Sequence, residues 1–321
     1  MKRVACWFLV VVAVLGLFAP VIGNDLPLIA VVDGAVVSPA LGEVLRTPLP
    51  PPDRDGVPSA SWKQWWALLP EASADWAVMP LWPYGPNETG LGPSLDGPSL
   101  VHPFGLDDGG RDVLARVLHA LQLSLWVGLG TAVLALLLGV PLGALAGMAP
   151  RVDPFVRVAL EMVAAVPALL LAFAATALLG ASAATLVLVL GVLSAVGVAR
   201  VVRAQARSIV AAPFVAAARG LGIGPIALFL RHVWPSLRGP AAIAAVLAAA
   251  GAVVVEATLS FLGLGVGLQT PSLGAMVADG RQHAAAGVWH VWAVPGAVVV
   301  AIVVALHAAA DRATGGETSP R

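Results

Sequence analysis

The sequence predicts an all-α membrane protein with six transmembrane helices and an irregular Pro/Gly/Trp-rich extracytoplasmic insertion between helices 1 and 2. Three observations carry this. Of 321 residues, 59% are hydrophobic and 11% charged, with a mean hydropathy of +0.90, which excludes an ordinary soluble enzyme. Six apolar runs approach or exceed the roughly 20 residues needed to cross about 30 Å of hydrocarbon. The charges are segregated: 18 of the 36 fall in residues 1–112, leaving 18 for the remaining 209. Net charge is zero, which offers nothing to a nucleic-acid partner. The single cysteine, Cys6, precludes an intrachain disulfide.

The first run, 4–22, follows Met1-Lys2-Arg3. It is long, and Ala19-Pro20-Val21-Ile22-Gly23 is a poor cleavage site, so residues 1–22 are expected to be a retained anchor helix. Residues 23–112 follow as the insertion. They are dense in Pro and Gly and contain no 20-residue apolar run. Pro50-Pro51-Pro52 marks a stiff extended piece, and Trp62, Trp65 and Trp66 share one side of a short helix. The aromatic trio fits a small packed cap, a lipid-surface helix or a docking surface. His102 has no ligand cluster around it and is expected to be a loop residue.

Residues 113–321 make up the core, with spans at 121–146, 158–179, 183–199, 241–264 and 288–310. No charge lies between Glu161 and Arg200, and Gly180-Ala181-Ser182 is the break between two of these spans. Lys2, Arg3, Arg151, Arg157, the six arginines from Arg200 to Arg238, Arg312 and Arg321 share one face, which the bias of basic residues assigns to the cytoplasm. Both termini are then cytoplasmic. The opposite face holds the insertion, with twelve acids against Arg46, Arg54, Lys63 and Arg111.

The inner segment 200–238 is the most informative. Pro213 suits the first position of a helix, Phe214 to Leu221 continue it, and Gly222 ends it. Pro225 starts a second short helix, with Ile226, Phe229, Leu230 and Val233 as an apolar stripe facing the protein body, and Pro235 stops it. A small-surfaced helix flanked by Arg207 and Arg219 could lie in a groove of a cytoplasmic partner. A basic loop that obeys topology and touches anionic lipid would look the same.

Within the spans, Glu161 and Glu256 are the only acids, and a charge there costs about 2.5 kcal/mol or more unless paired or hydrated. Either lining a path or pairing within the bundle would account for them. Pro141 and Pro167 are expected to bend their helices. Ser260 lies near Glu256, and Gly128, Gly130, Gly139 and Gly143 suit close helix packing. His119, His290 and His307 are scattered, and nothing has the spacing of a hydrolytic triad. No catalytic residue, metal or cofactor is expected.

Pro213-Phe214-Val215-Ala216-Ala217-Ala218-Arg219-Gly220-Leu221-Gly222, followed by Leu230-Arg231-His232-Val233-Trp234-Pro235, resembles the EAA loop of permease subunits in binding-protein-dependent ABC importers. His102-Pro103-Phe104-Gly105-Leu106-Asp107-Asp108-Gly109-Gly110-Arg111-Asp112 is similar to a segment of the dipeptide and oligopeptide branch. So are Glu256 to Gly265 and Thr270 to Gly274. Asn24 to Leu28 and Asp33-Gly34, with the enlarged outer loop, look most like the microcin C-type, larger-peptide subclass. The motif's glutamate aligns with Ala216, so one charged contact is missing.

The resemblance implies a bacterial inner-membrane permease, forming half of a path for peptides or a similar solute. Its implied partners are a second homologous permease subunit, two cytoplasmic ATP-binding subunits and an extracytoplasmic solute-binding protein. Phe214, Val215, Ala216, Ala217, Ala218, Arg219 and Gly222 would form the ATPase-coupling element, and Glu161, Pro167, Glu256 and Ser260 would be polar or bending features near the path. Hydrolysis would belong to the ATPases: Lys2 and Lys63 are the only lysines, so no P-loop lysine exists in the cytoplasmic part. The competing reading is an ion-coupled secondary transporter using Glu161 and Glu256, which predicts internal repeats that the sequence does not display.

Overall fold

The structure is a computed structural model that describes residues 2–44, 47, 49–51, 61–68, 74–267 and 270–315. Pro52, Arg46, Arg54 and Arg321, singled out above, lie outside the described residues. The chain divides into two units. One comprises Met1–Val10, Ser124–Gly267 and Val298–Arg321, and the other Val11–Leu123 and Leu268–Ala297.

Residues 11–123 begin on the helix α1 (Lys2–Leu17), continued by the single turn α2 (Ala19–Ile22). The insertion is irregular from 79 to 112, as expected, but the described residues before that carry regular structure beyond the expected tryptophan helix. It contains an antiparallel sheet of β1 (Ile29–Val32), β2 (Ala35–Val37) and β3 (Trp76–Val78), in the order β2-β1-β3, with the short helices α3 (Pro39–Val44) and α4 (Trp62–Ala67). β-branched residues favour the pleated backbone, and the hairpin turns on Asp33 and Gly34, both with positive φ, as a two-residue turn requires. Ser61 caps α4 by accepting from Gln64 N–H. Trp62 and Trp65 then pack edge to face over Ala30, with Val32, Val37 and Ala77 around them. Trp66 does not join them and is exposed.

The His102–Asp112 segment is a self-bonded turn. Asp107 accepts from the backbone N–H of Gly109 and Arg111 and from both guanidinium groups, Arg111 at 2.7 Å and Arg116 at 2.6 Å. Asp112 is fully buried and caps the next helix through Ala115 N–H at 2.7 Å. It also accepts from Trp82 Nε1 at 3.0 Å and pairs with His102 Nδ1 at 2.7 Å. His102 is thus a loop residue, but a buried one with a fixed partner. Beyond it, α12 (Leu273–Arg281) brings Asp279 within 4.0 Å of Arg116. Burial pushes the Asp279 carboxyl above its usual range, and Arg116 opposes the shift.

The other unit holds most of the long apolar helices, α5 and α13 having their first turns within 11–123 and 268–297. α5 (Val113–Met148), α8 (Ala183–Val210), α11 (Trp234–Phe261, continuous with the preceding turns) and α13 (His290–Gly315) are each long and apolar enough to cross a membrane. The expected span 158–179 is instead two helices, α6 (Asp153–Ala164) and α7 (Ala168–Leu179), bent by 74° at Pro167. Proline removes a helical donor and drives the residue before it out of the α conformation. Gly180 then breaks the chain with φ +92°, and Ser182 caps α8.

Two expectations on the inner segment are overturned. α8 runs on to Val210, so Arg200, Arg203 and Arg207 sit on a helix rather than in a loop. The second short helix does not stop at Pro235. After α9 (Pro213–Gly220), α10 (Pro225–Leu228) passes through a π turn, Phe229–Val233, directly into α11. Trp234 N–H reaches back five residues to Phe229 O, and Pro235 falls in the following first turn, where it has no helical donor to lose. The expected stripe is split. Val233 is buried and Phe229 partly so, but Ile226 and Leu230 are exposed.

α5 packs along α8 at Gly139, Gly143 and Gly147. A methyl on these would lie 2.7, 2.5 and 2.8 Å from the carbonyl oxygens of Ala195, Ala199 and Arg203. The matching four-residue steps mean that the two helices run parallel there with their backbones in near contact. Around this seam Val140, Ala144, Val198, Val202, Leu237 and Ala241 form the buried core.

Gly143→Val forces these backbones apart and should cost about 2 kcal/mol or more, read as a lower melting temperature of the detergent-purified chain. Asp112→Ala removes a helix cap and leaves the buried His102 ring and the half-buried Trp82 Nε1 without their acceptor, costing on the order of 3 kcal/mol. Asp112→Asn should recover part of that loss in the same melt.

Candidate functional site

The inner loop is built around α9. Its N-terminus is Pro213, at a position where an N–H has no helical acceptor, and its C-terminus is a paired closure. Ile223 N–H donates to Ala218 O at 3.2 Å and Gly222 N–H to Arg219 O at 2.9 Å, with Gly222 at φ +78°. That closure needs a left-handed residue, which is why glycine stands there.

The helix has two unlike faces. Val215 and Ala218 are buried with Leu228, against Met148 at the end of α5 and Ile209 at the end of α8. Phe214, Ala217 and Leu221, at i, i+3 and i+7, are exposed, Phe214 by 53% and Leu221 by 84%. Ala216 and Arg219 are exposed as well. The seven residues expected here therefore split: Val215 and Ala218 anchor, Gly222 closes, and Phe214, Ala216, Ala217 and Arg219 are presented outward.

Sequence reasoning missed the acid that braces this end of the unit. Asp153, at the start of α6, takes a two-pronged ion pair from Arg203 through Nε and the second guanidinium nitrogen, and a longer contact of 3.4 Å from Arg207. Such bidentate pairing fixes orientation as well as distance. The available signal was Asp153-Pro154, an acid and a proline at a helix start.

The two acids expected within the spans sit in different surroundings. Glu161 is exposed and lies 3.6 Å from Arg157, one turn earlier on its own helix. Glu256 is fully buried and accepts from Ser260 Oγ at 2.9 Å, one turn later. Pro167 sits at the α6–α7 bend. His119 bonds Gly23 O and His290 bonds Leu106 O, while His307 bonds the backbone of its own helix. Among the described residues no group of three or more potential metal ligands converges.

Two grooves were not foreseen. One, of about 580 Å³, lies between α8 and α11 and includes Ser194, Gly197, Val201, Gln205 and Pro240. The positions 194, 197, 201 and 205 fall on one helix face, a spacing visible in the sequence but undistinguished from a packing face. A methyl on Gly197 would meet nothing within 4 Å, unlike one on Gly139 or Gly143. The other groove, about 830 Å³ and almost wholly apolar, runs between the end of α5 and the π-turn segment, where Ile226 and Leu230 emerge and Arg219 stands at the edge.

Residues 139–315 match the family described as binding-protein-dependent transport system inner membrane component. The chain is 34% identical over 236 residues to the di/tripeptide transport system permease protein DppC of Pseudomonas aeruginosa, covering 71% of this chain and 78% of that one. It is 32% identical over 225 residues to the dipeptide transport system permease protein DppC of Alkalihalophilus pseudofirmus, covering 70% and 74%. Its fold is similar to a chain of the MetNI methionine ABC transporter in inward-facing conformations, with a TM-score of 0.51 and 17% identity over 64% of this chain and 97% of that one. The chain belongs to the binding-protein-dependent transport system inner-membrane family, and is a multi-pass permease subunit of an ABC importer.

If α9 is held only by its buried pair, Val215→Asp should free it. Limited trypsinolysis of membrane-inserted protein should then cut at Arg219 at least tenfold faster than in the unchanged chain. Equal rates would mean that the helix is retained by other contacts.

Proposed function

We propose that this chain forms half of the translocation path of an ATP-driven peptide importer, and that the exposed face of α9 is where a separate cytoplasmic ATPase takes hold. The observation that carries this reading is the two-faced helix. Phe214, Ala217 and Leu221 project from a rigid seat at the ends of α5 and α8 and are left uncovered. An apolar knob seated on two long spans can pass a push from a partner into the bundle, as rigid-body rocking between two states requires. Ala216 is exposed on the same helix without the acid usual to the motif, so the contact rests on shape and apolar burial rather than on a charge pair.

The rest of the reading follows from this. α1, although 16 residues long, serves as the first of six spans. Residues 1–22 are then the anchor, 23–112 the extracytoplasmic insertion and 113–321 the permease core, with both termini cytoplasmic. The partners are a second homologous permease, two ATP-binding subunits that carry out hydrolysis, and an extracytoplasmic solute-binding protein. Peptides are the cargo class because the relatives are named for di/tripeptide and dipeptide transport. The groove bearing Ser194, Gly197 and Gln205 has open glycine space and two polar side chains, and suits the wall of the path. Glu161 lies beside Arg157 and Glu256 accepts from Ser260, contacts that suit structural pairing within the bundle.

Ala217→Trp and Phe214→Ala should each reduce co-purification of the ATPase subunits at least tenfold while the chain remains inserted. Retention of the ATPases with undiminished peptide uptake would refute the reading.

A further inference from the structure

The sheet of the insertion has a second face whose apolar side chains are largely exposed among the described residues. Strand side chains alternate, and the pairings Ala30 to Val37 and Ala30 to Ala77 turn those residues inward onto Trp62 and Trp65. The remaining pairings, Ile29 with Val78 and Val31 with both Val36 and Trp76, place five apolar side chains together on the opposite face. Four are well exposed: Val36 by 74%, Trp76 by 48%, Val78 by 47% and Ile29 by 44%. An antiparallel sheet with one solvated face ordinarily carries polar residues there. Contiguous exposed apolar surface of this kind marks a contact.

Charge selects among the occupants. Residues 23–112 carry twelve acids and four bases, a net of 4 − 12 = −8. Two of the acids flank this face: Asp33 in the hairpin turn and Asp75 immediately before Trp76, joined by Asp33 N–H donating to Asp75 Oδ1 at 3.0 Å. A second copy would bring acid against acid across the interface. A phosphate-bearing bilayer surface attracts basic segments and disfavours one this acidic. A soluble protein with an apolar patch ringed by lysine and arginine meets both requirements.

We infer that the face formed by Ile29, Val31, Val36, Trp76 and Val78 docks the solute-binding protein of the same transport system. The inference rests on the permease reading above and adds to it the surface used and the character of the partner's patch.

The test uses the assembled transporter in nanodiscs, with Cys6→Ser removing this chain's only native thiol, Val36→Cys placing a new one on the face, and labelling read on this chain after the subunits are separated. Without the binding protein the thiol should react readily with a charged, membrane-impermeant maleimide, and saturating binding protein should slow the reaction at least tenfold. Prior labelling should raise the Kd for the binding protein at least tenfold and leave basal ATPase activity unchanged. Raising NaCl from 50 to 500 mM should weaken binding to the unlabelled complex severalfold. A thiol that is unreactive in the free transporter would show that lipid or another part of the chain already covers the face, and would overturn the proposal. So would equal labelling with and without the binding protein. If the binding protein stimulates labelled and unlabelled complexes alike, the docking face alone is wrong. If it fails to stimulate even the unchanged complex, the permease reading falls and takes this inference with it.

Discussion

The near contact of two helix backbones at Gly139, Gly143 and Gly147 is the constraint on which the inner half of this protein depends. Between spans in hydrocarbon, apolar burial gains little, because lipid is as apolar as the partner helix, so association must come from close fit. Three glycines at four-residue steps provide that fit and align α5 with α8 in the same direction. Their alignment brings Met148 and Ile209, near the ends of the two helices, into one seat, and that seat holds Val215 and Ala218. A small helix of eight residues would not persist in water by propensity alone. It persists here because its buried side rests on two long helices and its C-terminus is closed by Gly222.

The outer segment solves a different problem with different chemistry. It is small, and it relies on a compact tryptophan core and on densely satisfied polar groups. Asp107 and Asp112 each gather at least three hydrogen bonds, which turns the Asp-Gly-Gly-Arg-Asp stretch into a rigid start for α5. A buried carboxylate with every oxygen engaged specifies one geometry, whereas a partly engaged one would be a liability. The motif that carried the family resemblance is therefore a folding device as well as a signature.

The inner segment also contains one irregular turn. The π turn at Phe229–Val233 joins α10 to the proline-containing start of α11, and Ile226 and Leu230 on either side of its start are exposed. Such turns are often found where a helix serves more than packing. The basic end of α8 is steadied by Asp153, so the arginines that obey the topology rule also fasten α6 to the helix leading into the loop.

What the sequence alone determined is whatever depends on a residue and its near neighbours. The long apolar runs, the break at Gly180, the start of α9 at Pro213 and its end at Gly222 follow from hydrophobic length and backbone preference, and each stands where local chemistry requires. Tertiary structure decided what depends on partners distant in the chain. Gly139 and Gly197 are the same residue type in apolar helices, yet one meets a carbonyl and the other open space. Asp153 and Arg203 are fifty positions apart, and no local rule pairs them. The short outer strands were hidden because a sheet is defined by its pairing, and Trp66 was misplaced because helical spacing says which side a residue is on but not what it packs against. Proline at 235 misled for the same reason: its cost to a helix depends on whether a donor was needed there, and it stands in the first turn after a π turn that ends two residues earlier.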